Sequence, residues 1–159
     1  MKPHLAAAWV LASAAPLFRP LYAQPVATPT PDFTYAVPIA GTWTFAPTAD
    51  GSEATFRTAT STPQLTVRCS RTTRRVSIAK PGNRAVPFLA LWTDSMARSV
   101  PASFDPATAR VTILLATTDP LLDALAFGRG RIAIQGPDQP ALVVPAWPEI
   151  ARVIEDCRA

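Results

Sequence analysis

The sequence PEIARVIEDC at residues 148–157 predicts a helix near the end of this 159-residue chain. Pro148 suits the first position of a helix, where its missing backbone N–H costs nothing. Four apolar residues then recur at the spacing of one helical face, namely Ile150, Val153, Ile154 and Cys157. We therefore expect a helix whose apolar face, Cys157 included, packs on a core.

The other cysteine lies in a predicted strand, QLTVRCS, at residues 64–70. Leu65, Val67 and Cys69 alternate with polar residues, which is the period of a half-buried strand. Since both cysteines lie on faces that are predicted to be buried, we expect a Cys69–Cys157 disulfide that fastens the helix to this strand. Two free thiols are the alternative, which export to an oxidising compartment would disfavour.

Residues 1–23 have the pattern of a secretory signal peptide. Lys2 and His4 precede an apolar run over residues 5–18 that is too short to anchor a chain across a bilayer. We favour cleavage after Ala23, with cleavage after Ala14 and an uncleaved N-terminal anchor as alternatives. The protein is accordingly predicted to be periplasmic or secreted, with no stable membrane span after cleavage.

The remaining chain divides into a lead and one domain. Residues 24–40 contain four prolines among threonine and alanine, which predicts a flexible or polyproline-like lead outside the core. Residues 41–159 have the length of a single domain, and we expect this domain to be β-rich.

Short alternating or apolar segments between turn signals predict the strands of this domain. They are residues 42–45, 53–57, 64–70, 74–79, 86–93, 99–104, 110–116, 131–135 and 141–145. Pro87 interrupts the largely apolar segment 86–93, which we interpret as a strand buried on both faces or beginning at an edge. Asp119 as N-cap, Pro120 after it and Gly128 as a stop predict a short helix near residues 119–127. The pattern indicates a mainly β fold, an antiparallel β-sandwich or flattened barrel with helices near 119–127 and at 148–157.

The chemistry available to the chain is narrow. The whole sequence has 15 Lys and Arg residues against 11 Asp and Glu, and its one histidine, His4, lies in the predicted signal peptide. Residues 24–159 therefore contain no imidazole for a Ser-His or Cys-His pair, no zinc motif and no glycine-rich phosphate loop. We assign no catalytic residue and expect no cofactor and no metal.

Two groups of charged residues were weighed as sites. The only basic cluster, Arg71, Arg74 and Arg75, lies in a predicted turn, so we interpret it as a solvated loop and expect no nucleic-acid partner. Arg129 and Arg131, in the sequence GRGR at residues 128–131, are weak candidates for binding an anion, although a helix stop followed by a strand explains the same residues.

Carboxylates and tryptophans have structural interpretations that we favour. Asp119 and Asp123 fit a helix cap and a first-turn acid better than a catalytic pair. The carboxylates of residues 155 and 156 lie near a helix C-terminus, and we expect Arg152 or Arg158 to balance them. Trp43, Trp92 and Trp147 could line a ligand groove, but core packing is favoured.

Two resemblances bear on the class of protein. The sequence FGRGR at residues 127–131, with WPEI at 147–150 and DCR at 156–158, resembles the C-terminal part of small exported proteins of alphaproteobacteria. More loosely, a cysteine strand, a helix followed by a basic strand and a last helix ending in cysteine are similar to β-sandwich accessory proteins of type VI secretion and of the invasion-associated locus B family. The resemblance spans roughly residues 64–158 and implies a β-sandwich and a non-enzymatic role, with no site residue.

We therefore expect a non-catalytic binding or accessory protein of the cell envelope, with an envelope protein as a possible partner. A carboxylate-based hydrolase acting on glycan or peptidoglycan is the alternative, and a structural accessory of an envelope assembly is a third possibility. Converging carboxylates in a cleft would favour the enzyme, whereas an exposed apolar patch would favour a protein partner.

Overall fold

A computed structural model describes residues 31–60 and 62–159. The predicted signal peptide and residues 24–30 of the predicted lead lie outside the described residues. The strands are β1 (Thr42–Thr48), β2 (Gly51–Arg57), β3 (Pro63–Ser70), β4 (Arg75–Pro81), β5 (Phe88–Trp92), β6 (Ala97–Asp105), β7 (Arg110–Ala116), β8 (Arg131–Gln135) and β9 (Leu142–Pro145). The helices are α1 (Pro120–Phe127) and α2 (Pro148–Arg158).

The strands form one curled antiparallel sheet, a half-barrel, in the order β1-β2-β3-β4-β7-β6-β5-β8-β9. Strand β6 belongs to both halves of this sheet, because it pairs with β5 as far as Pro101 and with β7 from Ala102 onwards. A strand that changes partner in this way lets a sheet turn a corner instead of staying flat. The predicted mainly β fold with two helices is confirmed.

The core lies between the inner face of the half-barrel and the two helices. The inner face carries the alternate buried residues of each strand, such as Leu65 and Val67 of β3. Helix α2 packs on β1 to β4 and on α1. Its predicted apolar stripe is buried, with Ile150, Val153 and Ile154 each no more than 1% exposed. Among the described residues, no helix combines the length and the apolar character needed to cross a bilayer.

The predicted disulfide is present. Cys69 on the inner face of β3 is bonded to Cys157 in the last turn of α2, with their Cα atoms 5.3 Å apart. The bond fastens the end of the helix to a strand that has neighbours on both sides in the sheet. It therefore holds α2 over the core at the point where the chain would otherwise fray.

Two hydrogen bonds draw the edge strands β1 and β9 towards each other. The Ile39 N–H donates to the Val143 carbonyl at 2.9 Å, and Trp43 Nε1 donates to the Pro145 carbonyl at 2.9 Å. These carbonyls are two residues apart, so they point to the same, unpaired side of β9. An edge strand left with free carbonyls is prone to pair with other chains, and these two donors cover part of that edge.

The interpretation of residues 86–93 was wrong. Strand β5 begins only at Phe88, lies inside the sheet between β6 and β8, and is half-buried. Leu89 and Leu91 enter the core, whereas Phe88 and Trp92 face outward. The strand starts after Pro87 because proline has no backbone N–H to donate to the ladder. The segment looks buried on both faces because its outward residues are apolar as well.

The Asp50 carboxylate ties the β1–β2 turn to the β3–β4 turn. It accepts hydrogen bonds from Ser70 Oγ at 2.6 Å, from Thr72 Oγ1 at 2.7 Å and from the Thr72 N–H at 2.9 Å. These donors favour the charged form, so they lower the pKa of the Asp50 carboxyl from 3.8 to about 2. The two turns beside the disulfide are thereby joined through one side chain.

This contact predicts a specific acid sensitivity. A depressed folded-state pKa stabilises the fold at every pH above the unfolded value of 3.8, and this contribution is lost as the pH falls towards about 2. We expect thermal melts to show a decline in the melting temperature across that window. The Asp50→Asn variant should be less stable at neutral pH and show a flatter decline. Asp138→Asn, at an exposed aspartate in another turn, is the control; identical profiles for the two variants would contradict the prediction.

Candidate functional site

A groove of about 480 Å³ opens on the outer face of the sheet across β5, the start of β6 and the end of β8. Its floor includes Phe88, Ala90 and Trp92, the outward residues of β5. One wall is formed by Pro31 and Phe33, which precede the first strand, and the other by residues 136–138 of the β8–β9 loop. The groove thus lies between two segments of the chain, one before β1 and one in the β8–β9 loop, that flank the outer face of β5.

Three aromatic rings line this groove. The Phe33 ring meets the Trp92 ring edge-on, with centroids 6.0 Å apart and an interplanar angle of 71°, an arrangement that aromatic quadrupoles favour. Phe88 lies at the other end of β5 and is 37% exposed. The groove therefore offers two rings that are paired with each other and a third that faces solvent.

The segment that carries Phe33 is held on the outer face by further contacts. The Arg131 guanidinium of β8 donates to the Ala36 carbonyl, and the Ile39 N–H bonds to β9 as described above. The described part of the predicted lead, residues 31–40, therefore contacts the sheet. The flexibility predicted for residues 24–40 stays a prediction.

Arg98, which lines the groove, forms an ion pair with Asp119. Arg98 Nη2 donates to both carboxylate oxygens of Asp119, at 2.7 and 2.8 Å, and Asp119 Oδ1 accepts from the Leu121 N–H at 2.9 Å. Partial burial raises the pKa of Asp119, but the hydrogen bonds from Arg98 and Leu121 outweigh it and leave this pKa below its ordinary value. The predicted N-cap of α1 is confirmed, and its carboxylate is fixed in a structural contact.

Other carboxylates also bind arginines, in separate places. Asp123 bonds to Arg158 at 2.7 Å, and Asp156 forms an ion pair with Arg71. The expected Arg152 does act on Asp156, because its positive charge favours the ionised carboxylate, although its guanidinium lies 4.1 Å from the centre of the Phe45 ring. The ion-pair partner Arg71 was not predicted; it reaches Asp156 because α2 packs beside the β3–β4 turn. Among the described residues, no three His, Cys, Asp or Glu side chains gather where they could hold a metal ion.

The GRGR segment makes contacts of its own. The Arg129 N–H donates to the Asp94 carboxylate at 3.2 Å, so a carboxylate of the protein already binds this backbone group. The Arg131 side chain is engaged by Ala36, and the Arg129 side chain is exposed. These contacts support the interpretation as a helix stop and strand start, and anion binding by Arg129 and Arg131 stays a prediction.

The basic turn is only partly a solvated loop. Arg74 and Arg75 are exposed, and Arg74 has a positive φ of 50° that the turn requires. Arg71, by contrast, reaches α2, where its Nη2 atom pairs with the carboxylate of Asp156 and its Nε atom donates to the Asp156 carbonyl at 3.4 Å. The turn thus braces the terminal helix.

The three tryptophans have three different environments. Trp43 is 5% exposed and belongs to the core, as predicted. Core packing was wrong for Trp92, which lines the groove, and for Trp147, which precedes α2 and is 39% exposed. Sequence reasoning missed Phe33 and Phe88 altogether. Aromatic residues on the alternate, outward positions of an interior strand were the signal that could have found Phe88.

Comparison of the chain with protein-family models, with curated proteins and with solved structures found no match.

Proposed function

We propose that the protein is a non-catalytic binding protein of the cell envelope, periplasmic or secreted, and that the groove across β5 receives a proline-containing, extended segment of an envelope protein partner. The observation that carries this proposal is the exposed Phe88 ring beside the Phe33–Trp92 pair in one open groove. Solvent-facing aromatic residues in a concave site are typical of surfaces that bind other molecules.

A wall of the groove itself supports this kind of partner. The segment containing Pro31 and Phe33 lies on Trp92 without joining the sheet as a strand. Aromatic-lined grooves recognise proline-containing segments in general, because such segments are preformed and lose little entropy on binding. Ser99 and Gln135 line the same groove and supply hydrogen-bonding groups for the backbone of a bound segment.

Two features of the chain support a periplasmic or secreted location. The signal-like pattern of residues 1–23 predicts export, and the Cys69–Cys157 disulfide is of the kind that persists in oxidising compartments. The resemblance to exported accessory proteins points the same way. The alternative is a carboxylate-based hydrolase of glycan or peptidoglycan. The carboxylates of Asp119 and Asp123 do not support it, because each is engaged in an ion pair with an arginine.

Site-specific photo-crosslinking from the groove tests the proposal. A photoreactive phenylalanine at position 88 should give a discrete protein adduct in intact envelopes, whereas the same group at Leu114 should not. Leu114 is a matched control, because it is 56% exposed on the outer face of β7, away from the groove. Mass spectrometry should place the crosslink in a proline-containing segment of the adduct.

Substitutions then test whether the groove itself carries the binding. Phe88→Ser and Trp92→Ser should lose the adduct partner in pull-downs, while Leu114→Ser keeps it and thermal melts show all three folded. Equal recovery of the partner by all three variants would refute the groove as the site. A crosslink to glycan strands instead of protein would refute the proposal and favour the alternative.

A further inference from the structure

A second cavity, of about 510 Å³, lies beside the β8–β9 loop and is separate from the residues of the groove except for Asp138. It is lined by the end of β4 and the following residues 82–84, by Ala109 and by residues 138–140. Five of its nine lining residues are polar or charged and none is aromatic, whereas three aromatic rings line the groove. The cavity is therefore a different kind of site.

Lys80 is the feature that sets this cavity apart. Its side chain is on the inner face of β4, in line with the core residues Val76 and Ile78, and the residue is only 8% exposed. Burial lowers the pKa of its ammonium group, because a desolvated charge is disfavoured. A charged residue in this position has an energetic cost that a hydrophobic residue would avoid.

The ammonium group of Lys80 is incompletely satisfied by the protein. Its Nζ atom donates to Gln139 Oε1 at 3.1 Å, and no carboxylate of the described residues lies within 4.0 Å of it. An ammonium group has three N–H donors. Donors are thus left for a ligand in the cavity that Lys80 lines.

The backbone of Gln139, whose side chain accepts the hydrogen bond from Lys80, is held in place by the loop. The Gln139 N–H donates to the Gly136 carbonyl at 3.3 Å, and its own carbonyl accepts from Gln135 Nε2 at 3.0 Å. Lys80 is therefore hydrogen-bonded to the side chain of a residue whose backbone the loop holds in place. Such preorganisation is what a binding site for a small molecule requires.

The charges around the cavity indicate the class of ligand. Lys80 and Arg84 are cationic and Asp138 is anionic, so these lining groups carry a net charge of +1. This balance suits a singly charged anion better than a doubly charged one. Asp138 accepts hydrogen bonds only, and it would favour a ligand that also carries a donor.

We propose that this cavity binds a small organic carboxylate that carries a hydroxyl or amino group. The carboxylate pairs with Lys80 and with Arg84 at the rim, and the donor group binds Asp138. Arginine and lysine are the usual partners of carboxylates, and the pairing is strengthened where the lysine is desolvated.

The scarcity of lysine makes the test direct. The chain contains only Lys2 and Lys80, so protein with isotope-labelled lysine side chains gives at most two lysine resonances in NMR spectra, and the Lys80→Met variant assigns them. Titration with sodium lactate, against sodium chloride at equal ionic strength, should shift the Lys80 resonance saturably. Lactate should also raise the pKa of Lys80, because a bound anion favours the charged amine.

Matched variants separate specific binding from a general salt effect. Arg84→Gln should weaken lactate binding several-fold, whereas Arg75→Gln, at the exposed far end of the same strand, should leave it unchanged. Asp138→Asn should weaken binding of lactate but not of acetate, which lacks the hydroxyl donor. Three results would each overturn the proposal: no saturable shift beyond that in sodium chloride, equal affinities of the Arg84→Gln and Arg75→Gln variants, or tighter binding of inorganic phosphate than of lactate.

Discussion

Replacing Cys157 with alanine is expected to lower the melting temperature by well over about 5 °C. The Cys69–Cys157 bond joins residues 88 positions apart. In the chain-entropy model, a disulfide that closes a loop of this length adds about 4–5 kcal/mol to the free energy of unfolding, because it restricts the unfolded chain. The total for a domain is about 5–15 kcal/mol. The loss should therefore be a large fraction of the whole stability.

The variant should also lose its terminal helix first. Helix α2 has 11 residues, too few to be stable as an isolated helix in water. Limited proteolysis of Cys157→Ala should cut within residues 148–158 before it cuts any strand. Without the disulfide, the helix separates from the core more easily and exposes Ile150, Val153 and Ile154, which are buried in the parent. Arg71 still braces the helix, but an exposed ion pair contributes at most about 1 kcal/mol.

The cysteine variants supply their own controls. Cys69→Ala should melt like Cys157→Ala, and the double variant should melt like either, since all three lack the same bond. Thiol labelling of the oxidised parent should find no free cysteine. A variant that melts like the parent would show that the bond does not hold the helix in place.

Replacing Trp43 with alanine is expected to destabilise the protein by about 3–5 kcal/mol. Trp43 is 5% exposed, its ring lies 5.4 Å from that of Phe56 between centroids, and its Nε1 atom bonds to the Pro145 carbonyl of the opposite edge strand. The substitution leaves a cavity in the core and removes one of the two bonds that draw β1 and β9 together. Denaturant unfolding should show the loss.

Two further substitutions separate these effects. Trp43→Phe keeps part of the buried ring and loses the hydrogen bond, so its cost should be about 1 kcal/mol for that bond plus the packing lost with the rest of the indole. Trp147→Ala removes the same residue type at a position that is 39% exposed, and it should change stability by about 0.5 kcal/mol. Equal losses for Trp43→Ala and Trp147→Ala would contradict the position assigned to Trp43.

The local structure was predictable from sequence because its signals are local. Alternation of apolar and polar residues in β3 marks the buried positions Leu65, Val67 and Cys69, and the helical spacing in α2 marks the face that carries Cys157. Two cysteines on two buried faces then indicated their pairing. Each of these inferences needs only the period of one element and the requirement that its apolar side be buried.

The sites were not predictable, because they depend on contacts between segments that are distant in the chain. The groove requires Phe33, which precedes the first strand, to lie on Trp92 of β5. The Lys80 cavity requires Gln139, 59 positions later, to meet the lysine. Both contacts, Phe33 with Trp92 and Lys80 with Gln139, depend on the order of the strands after β4 in the sheet, which is β7, β6, β5 and β8. No local pattern in the sequence encodes that order.

The long span of the disulfide has a consequence for the biogenesis of the protein. A ribosome adds about 5–20 residues per second, so the 88 positions between the cysteines keep Cys69 without its partner for about 4–18 s. During that interval Cys69 lacks both its bonding partner and the helix that covers it in the folded protein. A chain interrupted before Cys157 retains Cys69 as an unpaired thiol. Formation of the native bond, in which the two thiols give up two protons and two electrons to an external oxidant, therefore requires synthesis through α2. Thiol labelling should accordingly distinguish finished, oxidised molecules from fragments that end before Cys157.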